Sequence, residues 1–581
     1  MKLLPRFLVF TLAAGLSFSA LSGCASQQAH HHAADERLAH HTIPDSTNFA
    51  GSYLSARFAQ QNQDWHAAQK YLHNVLHHDD ANDRLRQKAF LLTLGSGHTD
   101  KAEQLAERIL TEDPESEIAL IFLSAAKMKK GDYAAAEKLV HTLPDAGFGR
   151  YTKPLLSAWS LAGQGRIDNA KALLQNNGAE NDAVYHLHIG LMSELDNDMN
   201  AAATHYKHVM EDGLTLHSAI LVGTFFDRYG QPEISNMIYD GLGQLYTFNP
   251  FVTAVRTREL RPVIEPNVTT AADGAALALF DLATALYERK AYDSAQVYGS
   301  IVQMLSPESP NILLMLGDIA ALRHQYGKAL AHYDAIDPRS PLFWLSKLRT
   351  AEIHEANNNL PEAIALLKKL GKFAPTHINA MVSLGDIYRR HESFAQAVEA
   401  YDAALTNIDE LTEKHWPIIY ARGMALERMN KWNMAEKDLL KALELQPENP
   451  MILNYIGYTW VDQGVNMERA VGYIRKAVAL RPNDGYILDS YGWAHFRMGQ
   501  FDEAVKWLER AVAQVPDDPT MLDHLGDAYW QVGRYNEAKF KWQRAIEISK
   551  DAAFQTLIQR KMIHGIMPVA PLPIVQKEAR L

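Results

Sequence analysis

Three lines of sequence decide the fold: Leu453-Asn-Tyr-Ile-Gly457-Tyr458-Thr-Trp460, Leu488-Asp489-Ser-Tyr-Gly492-Trp493-Ala, and Leu522-Asp523-His-Leu-Gly526-Asp527-Ala-Tyr-Trp530. The glycines stand 35 and 34 residues apart, and Ala470, Ala504 and Ala538, which follow them, are each 34 apart. Bulky apolar residues recur around each glycine at i, i+3, i+4 spacing, the mark of a helix with one buried stripe. Pro447, Pro482 and Pro516 lie between one such pattern and the next, where proline ends a helix without removing a needed hydrogen bond. Small residues kept in phase mark the points where paired helices approach most closely.

A 34-residue period of two helices is the tetratricopeptide-repeat (TPR) signature. Followed outward, the alanine position falls at Ala295, Ala329, Ala363, Ala397, Ala435, Ala470, Ala504 and Ala538. Earlier it recurs at Ala68, Ala102, Ala136 and Ala170, then drifts to Ala202 and Ser235. Eight clean units and six degenerate ones predict an all-α solenoid of about 14 helix pairs in two arrays, wound as a right-handed superhelix. Between Gly241 and Asp273 the period fails, and Asn249-Pro250, Arg261-Pro262 and Glu265-Pro266 punctuate the chain. The expected organisation is a first array over 49–248, a linker at 249–273, and a second array with a capping helix over 274–565. A proline-containing tail follows at 566–581.

The start of the chain carries a different signal. Lys2 and Arg6 precede an apolar run from Phe7 to Leu21, then Leu21-Ser22-Gly23-Cys24. That is a secretory leader over 1–23, too short to be a good spanning helix. Cys24 is the sole cysteine, and its setting resembles a bacterial lipobox, which implies lipidation at Cys24 and a flexible tether over 24–48. Ala25 after the cysteine implies the outer membrane, with the protein facing the periplasm. Hydrophobic residues make up 47% and charged residues 22% of the chain, as in ordinary soluble proteins. The net charge is −11. Such a balance disfavours nucleic acid, which needs clustered Lys and Arg, and leaves the lipid as the expected membrane contact.

No catalytic constellation is present: no phosphate loop, no dinucleotide glycine fingerprint, no Gly-x-Ser-x-Gly elbow, and no thiol left free once Cys24 is modified. The expected protein is not an enzyme and carries no cofactor. His30, His31, His32, His40 and His41 in the tether, and His66, His73 and His77 on the first B helix, lack an accompanying metal motif. They read as polar surface, and no metal is expected.

Binding is the positive expectation. In a TPR frame with the glycine eighth, positions two, five, nine, twelve and thirteen face the groove. They place Asn454, Tyr458, Tyr486, Asp489, Trp493, Phe496, Arg497, Asp523, Asp527 and Trp530 along one concave surface, an aromatic and charged lining suited to a protein partner. The lines quoted above, with the lipobox and the chain length, resemble long periplasmic TPR lipoproteins. Some members are adaptors that dock a carboxyl-terminal processing protease and bring it cell-wall hydrolases. The resemblance thus implies a recruiting scaffold. The alternative is an assembly or localisation factor for an envelope machine such as an exopolysaccharide exporter, a secretin or an outer-membrane protein insertion complex.

Overall fold

Buried small residues set the pitch of the fold. In the computed structural model, which describes residues 49–78, 82–177, 183–245, 252, 266–374 and 377–567, all fourteen positions of the series from Ala68 to Ala538, Ser235 included, are 0% exposed. Each is the fourth residue of its B helix. A methyl group there lets the two backbones of a hairpin close to contact; a larger side chain would drive them apart. The facing glycine works from the other side. A Cβ on Gly526 would stand 2.5 Å from Nε1 of Trp542, so the B-helix indole occupies the space that the missing side chain leaves.

The described residues form 29 α-helices and no strand. Six antiparallel pairs run from Phe49 to Leu245, eight from Ala271 to Ile548, and the helix Ala552–His564 closes the series. The architecture is an all-α TPR solenoid. Cys24 and the tether lie outside the described residues, as do most of the expected linker and the tail after Met567. No described helix is long and apolar enough to cross a membrane.

The turn inside each pair is as regular as the helices. In thirteen of the fourteen repeats the residue two before the B helix has positive φ. At Gly499 and Gly533 glycine takes this left-handed position, as the closing turn of a helix favours. At Lys290 and Glu392 a side chain is forced into it, with φ of 61° and 57°. Glu392 N donates to Arg389 O at 3.2 Å and Ser393 N to Tyr388 O at 2.8 Å, so the conformation is fixed by the helix end. Both side chains are exposed, and glycine there loses no packing. Lys290→Gly and Glu392→Gly are each expected to stabilise the fold by about 0.5–1 kcal/mol, readable as a higher urea midpoint.

The chain separates into two compact units between Lys369 and Leu370, within the helix Leu360–Phe373, so that the described residues on either side of 249–273 fall in the same unit. The reason is a long-range contact that no periodicity announces. The helices Ala271–Glu288 and Tyr292–Leu305, which open the second run of repeats, pack on the A helices Asp83–Gly95, Glu117–Lys129, Gly149–Gly163 and Ala183–Leu195. They thereby join the first six pairs in one hydrophobic core.

Candidate protein-binding groove

In unit 2 the last three A helices are placed by their caps. Asn449, Asp484 and Asp518 each accept from the backbone N–H groups two and three residues on, with Asp518 Oδ1 at 2.9 Å from Thr520 N and 3.0 Å from Met521 N. Pro450 and Pro519 occupy first helical positions, where a missing N–H costs nothing. The helices that follow, Pro450–Gln463, Gly485–Arg497 and Pro519–Gln531, touch one another in succession. A-to-A contact puts this face on the inside of the curve.

The ten residues expected on that face divide into three groups. Tyr458, Trp493, Asn454 and Arg497 are half-buried and Tyr486 is 44% exposed. Trp493 stacks on His524 of the next A helix with ring centroids 4.1 Å apart and planes at 14°. Its Nε1 is enclosed without a hydrogen-bond partner among the described residues, and so is Oδ1 of Asn454. Arg497 reaches back to the preceding repeat, with Nη1 3.0 Å from Asp462 O.

Phe496 differs from expectation. It is 2% exposed, held between Trp493 at 4.7 Å and Phe501 at 5.4 Å, and belongs to the core rather than the groove. Trp530 is half-buried against Tyr535 and Trp542. It also lies so close to Gly565 that a Cβ there would meet its ring at 2.1 Å.

The three carboxylates are buried too, and satisfied from within. Asp489 bonds His524 Nδ1 at 3.0 Å. Asp523 and Asp527 both hold the ammonium of Lys561, at 2.7 and 2.8 Å, and Lys561 comes from the closing helix Ala552–His564. Asp527 also accepts from Trp542 Nε1 at 3.1 Å. Burial, then the neighbouring charge of Asp523, pushes the Asp527 carboxyl up to about 6, with Lys561 and His524 opposing. For His524, burial works downward, but the Asp489 charge and hydrogen bond, with Asp523 and Asp527 behind, raise it above the ordinary imidazole range. His524 and Lys561 are the two members of this network that the repeat frame did not single out. Neither falls on a groove position of the frame, so their partners appear only in three dimensions.

The corresponding face in unit 1 is filled by its own chain. Asn267 donates to Glu194 Oε1 and to Leu221 O, both at 2.9 Å, and accepts from Thr224 at 3.0 Å, which fixes the entry of the chain. Thr270 and Asp273 then form a capping box, and Ala271–Glu288 lies along the A helices with Gly274 against the fully buried ring of Trp159. Trp159 Nε1 donates to His188 Nδ1 at 3.0 Å, so the remaining imidazole proton sits on Nε2, 4.0 Å from Asp281. Burial, then His217, lowers His188 to about 3, and burial lifts Asp281 to about 7. A recess of about 90 Å³ beside Gly95, Gln296, Ser300 and His332 is far below the ~300 Å³ of a small-molecule site.

On the first B helix His66 meets His98, with ring nitrogens 3.2 Å apart. Among the described residues no group of three or more His, Cys, Asp or Glu is arranged to hold a metal ion.

Family models agree with this architecture over part of the chain. Tetratricopeptide-repeat family models match residues 93–152, 420–485, 492–533 and 519–551. A TPR repeat-containing protein of Pseudomonas aeruginosa is 28% identical over 186 residues, 32% of this chain and 31% of that protein. The probable UDP-N-acetylglucosamine–peptide N-acetylglucosaminyltransferase SPINDLY of Arabidopsis thaliana is 29% identical over 104 residues, 18% of this chain and 11% of its own length. The chain thus spans less than a third of the length of either relative. Among solved structures, the Cut9 and Hcn1 hetero-tetramer of the APC/C is 14% identical over 88% of this chain and 96% of that one, with a TM-score of 0.37. Yeast Tom70 is 14% identical over 89% and 95%, with a TM-score of 0.31. The fold and the matched repeats define a TPR scaffold, an architecture suited to binding other proteins.

Proposed function

We propose that this chain is a lipid-anchored scaffold of the bacterial outer membrane, facing the periplasm, whose unit 2 groove captures protein partners. The partners of first choice are a carboxyl-terminal processing protease and the cell-wall hydrolases it degrades. The chain itself performs no chemistry in this reading; it holds protease and substrate together. The observation that carries it is the aromatic lining of the A-helix face, where Tyr458 and Trp493 are half-buried and Tyr486 is 44% exposed. Half-exposed aromatic side chains on one concave face supply the anchoring contacts that a protein partner needs. The self-filled face of unit 1 points to unit 2 for the same role.

The test is crosslinking in cells followed by capture of the full-length chain from detergent-solubilised membranes. Trp493→Ala with Tyr458→Ala is expected to reduce the captured protease and hydrolases at least about tenfold while leaving the helical content unchanged, since groove aromatics carry a large share of binding energy. Undiminished capture removes the groove from the proposal. Exporter or barrel components in place of protease would favour the assembly-factor reading. Cys24→Ser is expected to move the protein out of the membrane fraction, because it removes the lipid attachment point.

A further inference from the structure

The first helix of unit 1 is built the wrong way round for a soluble solenoid end. In Phe49–Gln61 the buried residues are small, Ser52, Ala56 and Ala59. The outward stripe, spaced i, i+4, i+7, i+8, is Ala50, Leu54, Arg57 and Phe58, and two of its four members, Leu54 and Phe58, are large and apolar. Leu54 is 67% and Phe58 57% exposed. An outer face ordinarily takes polar residues, as the capping repeats of solenoids do. This helix has no acidic residue at all, although the chain carries a net charge of −11. Its charge is Arg57, and Lys88 of the next A helix stands close enough that Arg57, after burial, lowers the Lys88 ammonium.

Apolar side chains beside basic ones, with no acid among them, are complementary to a phospholipid surface: acyl chains below, phosphates above. On the reading of Cys24 as the anchor point, the distance from the lipid to this helix is limited by the length of the tether. Only 24 residues separate Cys24 from Phe49, at most about 90 Å of fully extended backbone. A tethered surface needs little affinity of its own, because the anchor supplies the effective concentration.

We propose that the Leu54–Phe58 face of the first helix docks on the lipid bilayer, so that unit 1 is oriented at the membrane and not merely leashed to it. The occupant is the bilayer itself, and the proposal rests on the reading of Cys24 as the anchor point.

The test supplies the tether chemically, so it does not depend on what the cell does to Cys24. The mature chain from Cys24 to Leu581 is coupled through its single thiol to maleimide-headgroup lipid in vesicles of phosphatidylethanolamine and phosphatidylglycerol. Amide hydrogen exchange is then compared with the uncoupled protein in solution. Exchange in 49–61 is expected to slow at least about tenfold on vesicles, with the distal helix Tyr535–Ile548 unchanged. Leu54→Asp with Phe58→Asp, or both to alanine, is expected to abolish that protection while the rest of unit 1 exchanges as before. Equal exchange of 49–61 in the two states overturns the docking, and so does slowing spread evenly over both units. Retention of Cys24→Ser protein in cell membranes would instead count against the anchor, a separate result.

Discussion

Replacing Gly274 by valine is expected to destabilise unit 1 by about 3 kcal/mol or more, at the upper end of overpacking effects. A Cβ at this position would stand 2.2 Å from the Trp159 ring. That ring is 0% exposed and tied at Nε1 to His188, so it has nowhere to turn. Relief must come from shifting the helix Ala271–Glu288, which carries Ala275, Ala278, Leu279 and Ala283 in the same core. Urea unfolding followed by hydrogen exchange reads the result: protection falls across unit 1 while Pro450–Ile548 keeps its own. Gly327→Ala is the control, since nothing lies within 4 Å of a Cβ there, and stability should hold or rise slightly. If Gly274→Val proves as mild as Gly327→Ala, the helix does not occupy the groove as described.

The same contact shows where sequence stops being informative. The small-residue series was readable because a repeat stack makes every unit meet its neighbour in the same way. A constraint such as the one at Ala504 therefore returns 34 residues later at Ala538, and helix count and pairing follow from that recurrence. Trp159 and Gly274 meet across 115 residues, once, with nothing in phase to announce it. Between Gly241 and Asp273 the period fails, and nothing in that stretch signals that the helix after it turns back onto the first six pairs.

In the groove, the frame named Trp493 and Asn454, which lie on the A-helix face with enclosed polar atoms. It also named Phe496, because a position number does not register that Phe501 opens the next helix beside it. The frame also places Asp523 and Asp527 as charges for a partner. The closing helix lies outside the frame, and its Lys561 answers them.

That answer sets the second large effect. Lys561→Met keeps the aliphatic stem and removes the ammonium, leaving Asp523 and Asp527, at 7% and 6% exposure, without their shared cation. Breaking a buried pair from one side costs about 3–5 kcal/mol, and the loss should appear first as fraying of Ala552–His564 in hydrogen exchange. The pH dependence identifies the cause. In the intact protein the folded Asp527 titrates at about 6 against an ordinary 3.8. The fold disfavours its ionised form, and the cluster's stability falls as pH rises through that window.

His524, raised above 6.5, acts in the same sense: its contribution is complete below the ordinary imidazole value and is lost as pH rises through the folded one. Removing Lys561 takes away a charge that held Asp527 down, so the variant should ionise Asp527 less readily still. Its deficit is therefore expected to be small near pH 5, where protonation neutralises a carboxyl, and largest above pH 7. Adding Asp523→Asn and Asp527→Asn to Lys561→Met should recover most of the loss, because no buried charge then lacks a partner. A deficit equal at pH 5 and pH 8 would mean that Lys561 supports the closing helix through its stem alone. The carboxylates of the last repeat would then be balanced by something other than the ammonium between them.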